Sequence, residues 1–147
     1  MRYAETGYNL EIDLATGNIE RVETDPKLLE THLGGLGTAV KLMWDRVPPE
    51  TRPFDPENLL IFSSGLLCGT PAFSCNRTIV STVSPQSDFL AYPMMGGFWA
   101  AELKYAGYDK VVLRNKSPNL VYIWIHNDKV EIRDASQIGR ASCRERV

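Results

Sequence analysis

The chain has 147 residues, 44% of them hydrophobic and 23% charged, with a formal net charge of −2; this is enough for one domain with a core, and ordinary globular usage excludes a disordered or fibrous chain. No apolar run approaches the roughly 20 residues of a membrane helix and MRYAETGYNLEID lacks the apolar stretch of a secretory signal, so a cytoplasmic protein with no membrane partner is expected. No lysine and arginine cluster precedes the last ten residues, which argues against a face that replaces phosphate counterions and therefore against nucleic-acid binding.

YNLEIDLATGNIERVE reads as a hairpin: Leu10, Ile12 and Leu14 alternate with polar residues, Thr16-Gly17-Asn18 supplies the turn, and Ile19 and Val22 follow. DPKLLETHLGG opens a helix with Asp25 as N-cap and Pro26 at the first helical position, closed by glycines. LGTAVKLMWDRV predicts a second helix, with Leu36, Val40 and Met43 on one stripe and a stop at Pro48-Pro49, both helices lying on a sheet. NLLIFSSG and NRTIVSTVSP are strands, and FLAYPMM is a third. GGFWAAELKYAGYD turns helical, with Phe98, Ala101, Leu103 and Tyr105 along a face and Gly107 as C-terminal cap. KVVLR, LVYIWIH and KVEIR form a meander whose middle strand, apolar on both faces, is expected inside a sheet. The element order predicts an α+β domain of mainly antiparallel β-sheet with a few short helices.

Several residues invite chemistry and are set against plainer readings. GGLGT does not follow a strand, carries Val40 where a dinucleotide fingerprint has its third glycine, and lacks a Walker lysine, so a glycine link between two helices is preferred over a phosphate loop. His32 and His126 have no carboxylate or second histidine at ligand spacing, and Cys68 and Cys75 fit neither a redox pair nor a zinc knuckle. In PMMGGFWAAELKYAGYDK, a Gly-Gly pair before a helix leaves bare backbone beside Met94, Met95, Phe98 and Trp99, a docking surface for a flat or anionic ligand. Its plainer reading, a tight turn with core aromatics, is favoured on composition alone. Arg77 on the strand upstream could present its guanidinium to the same anion.

GYNLEIDLATGNIERVETDP, LGGLGTAVKLMWD, DPENLLIFSSGLLCGTPA, NRTIVSTVSP, MMGGFWAAELKYAGYDKVVLRNKSP and VYIWIHNDKVEIRDAS, in this order through Ser136, resemble the N-terminal domain of the aldehyde:ferredoxin oxidoreductase family of tungsten-pterin enzymes. Within that family the RYAETGY start, DRVPPE, GLLCGTPA and the methionine pair are most similar to the active-site subunit of class II benzoyl-CoA reductases, which reduce benzoyl-CoA to a cyclic diene. The resemblance implies a tungsten-bis-pyranopterin seated on this domain, with Arg77, Met94, Met95, Gly96 and Gly97 against it. It also implies a magnesium ion bridging the two pterin phosphates, reached by the Met94 carbonyl. Met94 replaces the asparagine common in the aldehyde enzymes, a change of little consequence if the backbone carbonyl is the ligand. A [4Fe-4S] cluster is implied in the full-length protein on cysteines outside this chain, with an electron-transfer iron-sulfur subunit or ferredoxin as partner and a homodimer as a further option. No catalytic residue is assigned in this segment, which alone is expected to be inactive. Aldehyde oxidation is the alternative chemistry, and a stand-alone, non-catalytic α+β binding module the alternative of another class.

The end of the chain reads differently. IGRASCRERV is one translation of ATCGGAAGAGCGTCGTGTAGGGAAAGAGTG, the sequence of a common short-read sequencing adapter, so residues 1–136 are expected to be the truncated family domain and 137–147 adapter translation. Without residues 138–147 thirteen basic and seventeen acidic side chains remain, thirteen minus seventeen giving −4.

Overall fold

A computed structural model describes residues 4–138, so residues 139–147, most of the segment read as adapter translation, lie outside the described residues. The elements are β1 (Tyr8–Asp13), β2 (Asn18–Glu23), α1 (Pro26–His32), α2 (Gly35–Arg46), β3 (Leu59–Ser64), β4 (Thr78–Val83), β5 (Leu90–Ala91), β6 (Met94–Met95), α3 (Trp99–Tyr105), β7 (Lys110–Arg114), β8 (Val121–His126) and β9 (Lys129–Asp134). Seven strands form one sheet in the order β2-β1-β7-β3-β4-β5, with β6 also on β4; all pairs are antiparallel except β1 with β7. The α+β, mainly antiparallel expectation is met.

Strand alternation sends neighbouring residues to opposite faces, and each face has its own cover. On one, Ala39, Leu42 and Met43 of α2 bury Leu59, Ile61 and Val112. On the other, Leu10, Ile12 and Val111 meet Leu103 and Tyr108, with Ile123, Ile125, Val130 and Ile132 of the β8–β9 hairpin packed against them. Burying an aliphatic side chain as fully as Ile61 contributes about 1.5–3 kcal/mol. The stripe of α2 is therefore rotated from the expected one: Leu36 and Val40 are half-buried, while Thr38, Ala39, Leu42 and Met43 are buried. On α3 the buried residues are Ala100, Leu103 and Lys104, and Tyr105 faces solvent.

The predicted meander is corrected. β7 lies inside the main sheet between β1 and β3, whereas β8 pairs only with β9 in a separate two-stranded sheet. Its apolar inner face covers the core and its outer face carries Tyr122, Trp124 and His126, so residues apolar by scale occupy a half-buried strand. The single strand expected over FLAYPMM divides into β5 and β6, both in one register on β4, because Pro93 between them has no N–H to give; its carbonyl still accepts from Val80 N at 3.0 Å.

Asp25 caps α1 as expected, its side chain accepting from Lys27 N at 2.9 Å. The chain reverses after α1 at Leu33, φ 60°, not at a glycine. GGLGT is the link between the two helices. A Cβ on Gly37 would stand 2.4 Å from the His32 carbonyl oxygen. Gly37→Ala gains roughly 1 kcal/mol of helix propensity, but overpacking against backbone costs about 1–3 kcal/mol; the variant is expected to melt several degrees lower in a thermal scan. Gly107 ends α3 as expected: Gly107 N bonds to Lys104 O and Tyr108 N to Leu103 O, a Schellman arrangement.

Candidate functional site

The residues singled out in the sequence meet at one margin of the sheet. β6 lies along β4 with Met95 opposite Thr78 and Met94 opposite Ile79, and the same register carried one residue further sets Gly96 across from Arg77. The Arg77 carbonyl accepts from the buried Cys68 thiol at 3.6 Å, fixing the backbone while the side chain stays exposed. Among the described residues no hydrogen bond or ion pair occupies its guanidinium.

The turn that follows is glycine for two different reasons. Gly97 sits at φ +112°, in the region that side chains rarely enter. Gly96 has no such dihedral, and a Cβ built on it meets nothing within 4 Å. Among the described residues no atom requires glycine at 96; the open space beside it is what a flat ligand laid on the backbone would need.

The aromatic residues of the turn are not core. Phe98 is 80% exposed, and Met94 and Met95 are 52% and 38% exposed, while Trp99 is partly held against Phe62 with ring centroids 5.6 Å apart. Phe73, Phe89 and Tyr92 on neighbouring loops are exposed as well. The margin thus offers unpaired cationic charge, bare backbone and apolar side chains, the features that hold a flat anionic group. The core-aromatic reading favoured by composition fails.

The other candidates stay apart from this margin. His32 Nδ1 is 2.6 Å from Thr31 Oγ1, and His126 stacks on Trp124 at 5.5 Å. Both cysteines are free, Cys68 buried and Cys75 half-buried. No group of three or more metal-ligating side chains occurs among the described residues, and no described helix is long and apolar enough to cross a membrane.

A second feature escaped sequence reasoning. Away from these residues, Glu5, Lys104, Asp109 and Lys110 border one small cavity, all four nearly inaccessible to solvent. Lys104 Nζ is 2.8 Å from Asp109 Oδ1 and donates to Ala4 O at 2.8 Å. Asp109 also accepts from Thr6 N at 3.0 Å and Gly7 N at 2.9 Å, so one carboxylate ties the N-terminal segment to the turn after α3. The signal lay in Lys104, which shares the core-facing side of α3 with Ala100 and Leu103.

Lys110 is the poorly compensated member. Among the described residues its side chain makes one hydrogen bond, a long one to Asn9 Oδ1, 3.4 Å. Burial lowers its pKa from 10.5 to about 8, against the raising effect of Asp109 and with a further lowering by Lys104. Between pH 8 and 10.5 the unfolded chain holds a proton that the native chain lacks, so this group makes stability rise with pH across that window, and its cost is fully present below it. Lys110→Met is expected to gain roughly 1–3 kcal/mol at pH 7 and to remove that rise. Urea titrations of both proteins at pH 7 and pH 10 measure it; equal differences at the two values would contradict it.

Comparison with known proteins bears on these observations. The family model described as aldehyde ferredoxin oxidoreductase, N-terminal domain, matches residues 9–146. The tungsten-containing aldehyde ferredoxin oxidoreductase of Pyrococcus furiosus is 40% identical over 136 residues, 92% of this chain and 22% of that protein. The aliphatic sulfonate oxidoreductase, WOR-like subunit, of the same organism is 34% identical over 138 residues, 92% of this chain and 22% of that protein. Among solved structures, a chain of the active site complex BamBC of benzoyl-coenzyme A reductase with 1,5-dienoyl-CoA is 72% identical with a TM-score of 0.92, over 93% of this chain and 21% of that one. The chain spans about a fifth of the length of these relatives.

Proposed function

The chain belongs to the aldehyde ferredoxin oxidoreductase family, as its N-terminal domain, and on that basis we propose that it is the cofactor-supporting segment of a tungsten-bis-pyranopterin oxidoreductase that reduces benzoyl-CoA to a cyclic diene. The observation that carries the substrate reading is the 72% identity, sustained over 93% of the chain, to a chain of a benzoyl-coenzyme A reductase complex, against 40% to a tungsten-containing aldehyde enzyme.

The margin built from β4, β6 and the Gly96-Gly97 turn fits such a group. Arg77 supplies a planar, permanently charged fork matched to phosphate oxygens, and Gly96 leaves room for a flat ring system to reach the backbone. Met94, Met95 and Phe98 would exclude water from its edge, and the Met94 carbonyl would help hold a magnesium ion. When bound, the metal-pterin group supplies the redox chemistry itself. The chain's own contribution is placement: an arginine held by its backbone to Cys68, a turn that lacks Cβ atoms, and a rigid sheet beneath them. A [4Fe-4S] cluster and an iron-sulfur partner subunit or ferredoxin belong to the full-length enzyme, and no side chain of this segment is assigned a proton or an electron.

Anaerobic production of the full-length protein with tungstate tests the reading. Tungsten and pterin are expected in the purified protein, together with dienoyl-CoA formation from benzoyl-CoA and a low-potential donor. Aldehyde oxidation without benzoyl-CoA reduction would transfer the assignment to aldehyde chemistry, and a protein free of tungsten and pterin would refute the cofactor role.

A further inference from the structure

We propose that Cys68 is a positioning residue for Arg77: its buried sulfur closes the neck of the loop between β3 and β4 and so sets where the guanidinium stands, an inference that rests on Arg77 serving the cofactor. Ser64 of β3 and Met95 of β6 both pair with Thr78 of β4. Carried one residue further, the two ladders set Gly65 on one side of Arg77 and Gly96 on the other, and residues directly opposite one another project to the same face of a sheet. The two flanks differ in what fills them. A Cβ on Gly96 would meet nothing within 4 Å, whereas one on Gly65 would stand 3.4 Å from the Cys68 sulfur. The sulfur therefore fills the closed flank of Arg77, and the open flank is the one that adjoins the Gly96-Gly97 turn.

The path of the loop brings Cys68 to that place. β3 and β4 are antiparallel neighbours that a two-residue turn could join, yet the whole of 65–77 separates Ser64 from Thr78. Cys68 draws the two ends together: its N–H donates to Gly65 O at 3.1 Å and its thiol to Arg77 O at 3.6 Å. Cys75, although nearer in sequence, bonds to Phe73 O within the loop.

The next residue carries the loop onto α3. Gly69 sits at φ +76°, where a Cβ would come within 3.2 Å of the Tyr105 ring, and its carbonyl accepts from the Tyr105 hydroxyl at 3.2 Å. α3 is the helix that follows the Gly96-Gly97 turn. Contacts thus run in a ring from Arg77 through β6 and the turn to α3, and back through Tyr105, Gly69 and Cys68. A thiol is a weak donor, so the contribution of Cys68 lies in what it holds in place. Arg77 is long and exposed, and ordering it against an anion costs side-chain entropy; a backbone already fixed at its carbonyl leaves less to order.

The rate at which tungsten leaves the purified full-length holoprotein after dilution, with a melting curve on each sample, tests the proposal through a double-mutant cycle. Cys68→Ala is expected to speed the loss roughly 2- to 10-fold, the equivalent of one hydrogen bond. Cys68→Ser keeps a donor and is expected to recover part of the difference. In an Arg77→Ala background Cys68→Ala is expected to add nothing, because the group it positions is gone. A rate unchanged by Cys68→Ala would overturn the proposal. So would two factors that multiply in the double variant, since the sulfur would then act on the fold and not through Arg77. Should Cys68→Ala not fold, Tyr105→Phe decides: it removes only the hydroxyl on Gly69, from an exposed side chain. Faster loss that Arg77→Ala cancels is again expected, and no effect, or one that persists in that background, overturns the proposal. Parent protein without tungsten and pterin would sink the cofactor reading and this inference with it, whereas loaded parent with a failed cycle sinks the role of Cys68 alone.

Discussion

Full-length protein carrying Arg77→Ala is expected to fold normally and to lose most of its tungsten and pterin on purification. The side chain is exposed and holds nothing together among the described residues, while its carbonyl, the part that meets the Cys68 thiol, survives the substitution. Stability should therefore change little. On the proposed role the lost interaction would be a charge-assisted hydrogen bond to an anion, worth roughly 1.5–3 kcal/mol, which is about 10- to 100-fold in retention. Arg77→Lys keeps the charge but not the planar fork, and intermediate retention is expected. Metal analysis and pterin quantification after gel filtration, with a melting curve on the same samples, read out the result. Unchanged content in the alanine variant would remove Arg77 from the site.

The parts of this fold that were legible in the sequence are those set by local chemistry. Asp25 and Pro26 start a helix because a carboxylate and a ring with fixed φ do so in almost any context, and Gly107 ends one for an equally local reason. That Arg77 and the Gly96-Gly97 turn could meet one anion was read from the residues themselves, but their adjacency follows from the register of β6 on β4, a pairing of residues seventeen apart at Thr78 and Met95. What could not be read depends on which surfaces meet. β8 is apolar on both faces, which suits a central strand, but its outer face is covered by contacts within the hairpin: the Arg133 guanidinium lies 3.9 Å from the centroid of the Trp124 ring and His126 stacks on the same ring. Lys104 and Lys110 flank a glycine turn and drew no reading from the sequence; their partners Ala4 and Asn9 lie about a hundred residues away, and both lysines are buried. Gly96 and Gly37 show the same limit from the other side. Both are plain glycines in the sequence, yet one abuts the His32 carbonyl and the other faces open space, and only the second leaves room for a ligand.

Asp109→Ala is expected to be the most damaging single substitution in the domain. It removes the acceptor for Thr6 N and Gly7 N and the counter-ion of Lys104, whose side chain is only 6% exposed. Breaking a buried pair from one side costs about 3–5 kcal/mol, a large part of the roughly 5–15 kcal/mol that holds a domain together. The N-terminal segment should detach first, because that carboxylate and the Lys104 bond to the Ala4 carbonyl fasten it. Acid should reproduce the effect in the unaltered protein. Burial pushes the Asp109 carboxyl up, but hydrogen bonds from the Lys104 ammonium and Thr6 N outweigh it and hold the group below its ordinary value. Its contribution is then fully present above about pH 4 and is lost as pH falls through the lower folded value. Asp109→Asn keeps an acceptor for the two backbone N–H groups and loses the charge, so it should fall between the two, with less acid dependence than the unaltered protein. Urea titrations from pH 7 down to pH 3, with exchange at Thr6 and Gly7 followed in parallel, measure all of this. If Asp109→Ala were as stable as the parent at pH 7, the carboxylate would not be the fastening, and the link between the first residues and the turn after α3 would have to be sought in Lys104 and the Ala4 carbonyl alone.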